Sequence, residues 1–367
     1  MLNSKASQII NLYRFPLAVL VVFGHSKVFG ELNITAQSLF EISGFDVSCF
    51  IRIFFSKVMP HGAVIGFFLI SGYLFFQKLE KWNWTVWRKK INNRVHSLLI
   101  PYFLWITLFV LFGRIIQVLK DGLADGSGIL EKLFSQWYII GYYYNCIEAD
   151  LTNVSWIGTV SPTICPILIP FWFIRDLMFM VALSPIIYLA LKKMGKLFIS
   201  LLLLAYVSQI WPVIPGLSIR AVCFFSLGGY LAMNTCTIPN TLLKLSYVPT
   251  IILAILCCVY YDSYLYSFLI PWFVLSVNIS LWDAGGWMVK RKVQFPNFLI
   301  KASFFIFAFH CFLLKLLVFL PKWNINSSFI LLLLYFIVPF VIVFLSVGLY
   351  YVMDRWCHGF AKLLTGK

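Results

Sequence analysis

Apolar residues along this chain gather into ten long runs separated by polar punctuation, at approximately residues 9–29, 61–77, 97–119, 167–190, 196–214, 216–233, 242–261, 265–283, 297–320 and 328–353. A helix rising about 1.5 Å per residue crosses a hydrocarbon layer of about 30 Å in such a run. The pattern predicts an all-α polytopic membrane protein of about ten transmembrane helices, forming one membrane-embedded domain over residues 1–367. Two polar segments, about 30–60 and 120–165, outgrow ordinary connections, and loops of that length usually carry function. The second holds Trp137, Tyr138, Tyr142, Tyr143, Tyr144 and Trp156. Such a surface suits stacking on sugar rings and equally suits an interfacial aromatic belt. No repeat of the inverted kind that marks many secondary transporters is visible.

Composition agrees: 61% of the chain is hydrophobic and 11% charged, where a soluble domain is nearer half and a quarter. The excess of 29 Lys and Arg over 13 Asp and Glu invites a nucleic-acid partner, but its placement excludes one. Lys78 through Arg94, Lys192/Lys193/Lys196, Lys290/Arg291/Lys292 and Arg355/Lys362/Lys367 fall beside apolar runs, all on one side when the spans alternate. Glu31, Glu41, Asp46, Asp121, Asp125, Glu131, Glu148, Asp150 and Asp262 fall on the other. The positive-inside bias then puts both termini in the cytoplasm. The first run lacks a small-residue cleavage site and is expected to remain as a span. The nine cysteines form no CxxC and no Cys/His spacing suited to a metal, so no metal site is expected. Cys223, Cys257, Cys258 and Cys311 lie in apolar runs as small packing residues. Cys146 and Cys165 share one polar loop and can pair if it is extracytoplasmic.

Chemistry first suggests itself in the first run. Arg14 and His25 are eleven residues apart, which on a helix returns within roughly 20° of the same face and climbs roughly 16 Å. Ionisable groups at membrane depth are costly and are usually kept for a pathway or a reaction; an interfacial arginine and a stray buried histidine are the plain alternative. Pro16 either starts the regular helix or kinks it. By position in their spans, Arg175, Asp176, Ser71 and His310 share one slab with His25. A histidine there can take a proton from a hydroxyl and return it. Neighbouring Arg175 and Asp176 diverge by about 100° on a helix, so each is expected to find its partner elsewhere. At the other end Arg14, Arg88, Lys89, Lys90, Arg94 and Lys301 surround the inner mouth, where they suit a phosphorylated ligand or lipid headgroups.

These residues resemble the bacterial integral-membrane acyltransferase family 3. The likeness rests on Arg14-x10-His25, Gly66-Phe67-Phe68-Leu69-Ile70-Ser71-Gly72-Tyr73-Leu74, Phe171-Trp172-Phe173-Ile174-Arg175-Asp176-Leu177 and Ser303-Phe304-Phe305-Ile306-Phe307-Ala308-Phe309-His310, in that order over nearly the whole chain. The resemblance implies a multi-pass enzyme of the bacterial cytoplasmic (inner) membrane that moves an acyl group, commonly acetyl, from cytoplasmic acyl-CoA to a carbohydrate hydroxyl. It implies no permanently bound cofactor; acetyl-CoA is a substrate. Arg14 and His25 become the essential pair, with Arg88, Lys89, Lys90 and Arg94 on the donor phosphates. Asp176 is expected to orient an imidazole, and Arg175 or His310 to stabilise the oxyanion. Ser71 and Gly72 are expected to let helix backbones approach. The chain departs from the family where a second arginine is usual before the third span: Arg94-Val95-His96-Ser97 has Ser97 there. The rival readings are a transporter or flippase of a lipid-linked or anionic sugar, and a non-catalytic assembly factor for polysaccharide export.

Overall fold

The computed structural model describes residues 2–26, 40–41, 44–77, 79, 82–121, 139–144, 147–149, 163–212, 214–234, 239–261, 263–317 and 327–366. The main helices are α1 Leu2–His25, α2 Val47–Phe76, α3 Trp84–Ile116, α4 Ile169–Ala182, α5 Ser184–Met194, α6 Lys196–Ser208, α7 Ile219–Asn234, α8 Asn240–Val259, α9 Tyr264–Lys290, α10 Asn297–Leu316, α11 Ser328–Trp356 and α12 His358–Thr365. Two small antiparallel pairs, Phe40–Glu41 with Gly44–Phe45 and Ile147–Ala149 with Thr163–Cys165, lie outside the bundle helices.

The protein is a polytopic all-α membrane protein, with helices under all ten apolar runs but of unequal length. Among the described residues seven helices (α1, α2, α3, α8, α9, α10 and α11) are long and apolar enough to cross a membrane, and α4 with α5 makes an eighth if counted as one span bent by 64°. The bend falls at Leu183, where Pro185 lacks an amide hydrogen and crowds the carbonyl of Val181; the Ser184 hydroxyl takes up that carbonyl at 2.7 Å. At 13 and 16 residues, α6 and α7 reach only about 20 and 24 Å, short of the hydrocarbon thickness.

A second correction concerns the loop expected at 30–60: residues 47–58 are helical and extend the second span to 30 residues. Arg52, Lys57 and Pro60 lower the local hydropathy without breaking the helix. Phe54–Val58 forms a π turn, and so does Val95–Leu99. Each precedes a proline, Pro60 or Pro101, whose ring would clash with the carbonyl four residues back. That carbonyl, of Ser56 or Ser97, lies inside the π turn, where the ladder is already opened.

Two buried clusters hold the helices together. Phe68, Phe76, Phe224, Phe225 and Phe273 join α2, α7 and α9. Val22, Tyr102, Trp105, Phe171, Phe305 and Ile306 join α1, α3, α4 and α10. Where α2 crosses α7, Gly72 lies against the Phe225 carbonyl and Gly228 against that of Leu69, so a Cβ on either would strike backbone. This is the close approach expected of Ser71-Gly72, and it fixes α2 against α7. The amphipathic α12 folds back onto α3: Trp105 Nε1 donates to the Leu364 carbonyl at 2.9 Å, and Gly366 lies on the backbone of Ser97.

Candidate functional site

The first helix carries the site. It is helical from Leu2, with Pro16 inside it, and ends at His25. Its polar first turns (Asn3, Ser4, Lys5) lie outside the hydropathy window, so the expected span of 9–29 slides towards the N-terminus. The consequence is positional: His25 closes the helix instead of standing a full turn inside it, and Ser26 Oγ donates to the Val22 carbonyl at 2.7 Å beside it. Arg14, Ala18, Val21 and His25 are spaced i, i+4, i+7 and i+11, one stripe of a helix. Ala18 and Val21 are buried in the second cluster, so the stripe faces protein. Between its two ends the stripe is occupied by those two buried side chains.

At the upper end of the stripe His25 meets His310. Their ring centroids are 5.5 Å apart at 37°, and His310 on α10 is fully buried. His310 Nδ1 lies 3.1 Å from the Ile306 carbonyl, an atom that can only accept, so Nδ1 carries the hydrogen and Nε2 is bare. Cys311 Sγ stands 3.4 Å from that Nε2 and donates to it. Neutral His310 therefore has no hydrogen left to offer. In this tautomer His310 stands against the His25 ring with no N–H free for an oxyanion.

At the lower end Arg14, which is exposed, stands close enough to half-buried Arg94 for their charges to repel. Among the expected donor-site residues, Arg94 lies near enough to feel the charges of both Arg14 and Lys90. Lys90 is engaged differently: its ammonium donates to the Phe75 carbonyl near the end of α2 and lies 5.0 Å over the Phe75 ring, where a cation complements the last carbonyls of a helix. Arg88 and Lys89 are exposed on α3, and Lys301 is exposed on α10.

Arg175 and Asp176 overturn the expectation that they cannot meet. Arg175 Nε and Nη2 donate to Asp176 Oδ1 at 3.0 and 2.9 Å. The Cβ directions do diverge, but the guanidinium sits on a long stem that curls back. It is pinned there by Nη1 donating to the Tyr144 carbonyl at 2.7 Å and by the Tyr144 ring at 5.6 Å. Asp176 Oδ1 also accepts from Gly216 N at 3.1 Å, an amide aimed by a φ of +92° that glycine adopts freely. Asp176 thus bonds through Oδ1 to Arg175 and the 214–218 turn, while its buried Oδ2 has no hydrogen-bond partner among the described residues. The tyrosines of the long loop behave alike. Tyr143 accepts from Tyr102 through its carbonyl and Tyr144 donates to the Pro215 carbonyl at 2.9 Å, so these described members fasten the loop. Trp137, Tyr138, Trp156 and the Cys146 half of the expected disulfide lie outside the described residues.

Sequence reasoning missed Arg52, which is 95% buried on α2 close to Tyr335. The available signal was a lone arginine between Phe50 and Phe54, hidden because the segment was taken as loop.

Comparison with known proteins follows from this geometry. The chain is 24% identical to the succinoglycan biosynthesis protein ExoH of Rhizobium meliloti (strain 1021), over all of this chain and 94% of that protein. No solved structure matches it. The Acyltransferase domain family, Acyl_transf_3, matches residues 8–351, a stretch that takes in Arg14, His25, the Arg175–Asp176 pair and His310, and the chain belongs to that family of acyltransferases.

Proposed function

We propose that this membrane acyltransferase moves an acyl group, acetyl by preference, from cytoplasmic acyl-CoA to a hydroxyl of a cell-envelope or exported glycan. One observation carries the reading: a single helix joins a two-arginine site, Arg14 with Arg94, to a histidine pair, His25 with His310. Two guanidinium groups with no ion pair among the described residues suit the phosphates of CoA through charge-assisted hydrogen bonds. His25 sits in the last turn of α1, where the negative end of the helix stabilises the positive charge that the ring gains on taking a proton. In this reading His25 removes the acceptor hydroxyl's proton as the oxygen bonds to the thioester carbonyl. The carbon–sulfur bond then breaks, and the departing thiolate takes the proton back. His310 holds the ring in place. A glycan acceptor is supported by the relative's printed role in succinoglycan biosynthesis.

Because Ala18 and Val21 fill the stripe between the two ends, the pantetheine arm needs those side chains to part, or a path over the half-buried Val19 and Leu20 beside them. The test uses the purified chain in vesicles loaded with exopolysaccharide and supplied with radiolabelled acetyl-CoA. Label is expected to reach the glycan with wild type and to fall by about 10²- to 10⁴-fold with His25→Ala. Glycan crossing the bilayer without acquiring label would sink the enzymatic reading in favour of transport.

A further inference from the structure

The chain buries a cation that the reaction described above leaves unused. Arg52 is 5% exposed, and its Nε donates to the Ser48 carbonyl of its own helix at 3.3 Å. Its Nη1 is buried with no hydrogen-bond partner. Among the described residues no carboxylate forms an ion pair with it. Removing such a charge from water without a counter-charge is costly, and nothing in its own packing offsets that cost.

Its surroundings show what would. Ser56, one turn further along α2, shares a hydrogen bond of 2.7 Å with the Tyr335 hydroxyl, and Ser56 Oγ lies 3.5 Å from the Phe23 carbonyl. Gly24 lies against Pro60. Arg52 therefore stands about one helical turn beyond the end of α1 that bears His25, roughly 6 Å along the axis. On its other side Ser48 Oγ donates to the Ser328 carbonyl at 3.0 Å, in the first turn of α11, a 29-residue helix capped by Ser327. The positive end of that helix adds to the guanidinium. A hydroxyl pair, a bare guanidinium N–H and a helix N-terminus converge at the His25 end of the bundle, with no anion supplied by the described chain.

We propose that Arg52 binds an anionic group of the acyl acceptor, a carboxylate or a phosphate, and so positions the acceptor hydroxyl towards His25. This rests on the acyl-transfer reading for its purpose, but the anion site itself does not. A planar guanidinium with a free N–H edge suits a carboxylate fork or a phosphate, and its place beyond His25 suits the incoming acceptor rather than the thioester arriving from the Arg14 end.

The test separates the two ideas. Thermal melting of the full chain in detergent micelles, followed by tryptophan fluorescence, is measured with glucuronate, inorganic phosphate or glucose. Either anion is expected to raise the wild-type midpoint and glucose not, with glucuronate the stronger if the group is an acidic sugar and phosphate if it is a lipid carrier. Arg52→Met is expected to melt at or above wild type without ligand, since the uncompensated charge is gone, and to lose the anion effect. In vesicles it is expected to raise KM for an acidic acceptor by about ten- to a hundredfold, leaving the donor KM and transfer to a neutral acceptor unchanged. If neither anion stabilises wild type, or if Arg52→Met melts lower and depresses both acceptors alike, Arg52 is structural and the proposal is overturned. If Arg52→Met fails to fold, Arg52→Lys decides: it keeps the charge without the fork, and undiminished glucuronate affinity would overturn the assignment. An Arg52-dependent anion effect in a chain that acylates no glycan would leave the site standing and remove the transferase reading alone.

Discussion

Replacing Asp176 by Asn removes one charge from a buried pair whose side chains are 0% and 6% exposed. The carboxylate oxygen now accepts from Arg175 Nε, Arg175 Nη2 and Gly216 N. Asparagine keeps one neutral acceptor, so some bonding survives, but the guanidinium stays buried without its counter-charge. Breaking a buried pair from one side costs about 3–5 kcal/mol, and the remaining Tyr144 carbonyl contact recovers none of it, because wild type already makes that bond. The loss is expected to free α4 from the 214–218 turn and the long loop together. The double change Arg175→Met with Asp176→Leu removes both charges and leaves the Gly216 amide unpaired, a cost of about 1–3 kcal/mol, so it is expected to be more stable than Asp176→Asn alone. Equilibrium unfolding in mixed micelles, read by tryptophan fluorescence, gives the three values, and acyl transfer is normalised to folded protein. If Asp176→Asn is as stable as wild type yet transfers no acyl group, the carboxylate acts in the chemistry and the structural reading is refuted.

Four further outcomes follow from the same geometry. His310→Ala removes the ring that packs on His25; kcat is expected to fall by about 10- to 100-fold through misplacement of His25 with little change in either KM, and an unaltered kcat would remove any positioning role from His310. Arg14→Ala and Arg94→Ala are each expected to raise the donor KM by about ten- to a hundredfold without loss of thermal stability, because each relieves a repulsion; unchanged acyl-CoA affinity would remove the donor-site assignment. Gly228→Ala drives a methyl into the Leu69 backbone and is expected to destabilise by about 1–3 kcal/mol in the mixed-micelle assay. Gly348→Ala, on α11 with nothing within 4 Å, serves as its control and is expected to be neutral or to stabilise by up to about 1 kcal/mol.

The site was partly legible because one of its distances is local. Arg14 and His25 sit on one helix, and helical geometry alone spaces them for a shared stripe, with Ala18 and Val21 buried between them. Gly72 was legible for a similar reason, since a glycine amid Phe67, Phe68 and Leu69 has few uses except close approach. The rest depended on partners far along the chain. His25 meets a residue 285 positions away, and nothing in either motif orders α10 beside α1. The tautomer of His310 follows from a carbonyl one turn back on α10, visible once the ring is known to be buried. Arg175 and Asp176 misled because Cβ direction was taken for side-chain reach, which fails for an arginine whose stem spans several bonds. Arg52 was lost when a proline-bearing segment was assigned to a loop, although a π turn lets the helix run on.

The sequence by itself determined that this chain lives in a membrane, where its apolar runs lie, and that a cation and an imidazole share one helical face. Those facts need only composition and the 3.6-residue period, and both act over a few turns. Which histidine faces His25, which arginine joins Arg14, and which buried charges are paired were decided by packing, through the cluster in which Val22, Tyr102, Phe171 and Phe305 meet. Such contacts join side chains whose separation along the chain carries no periodic signal, so only the folded bundle brings them together.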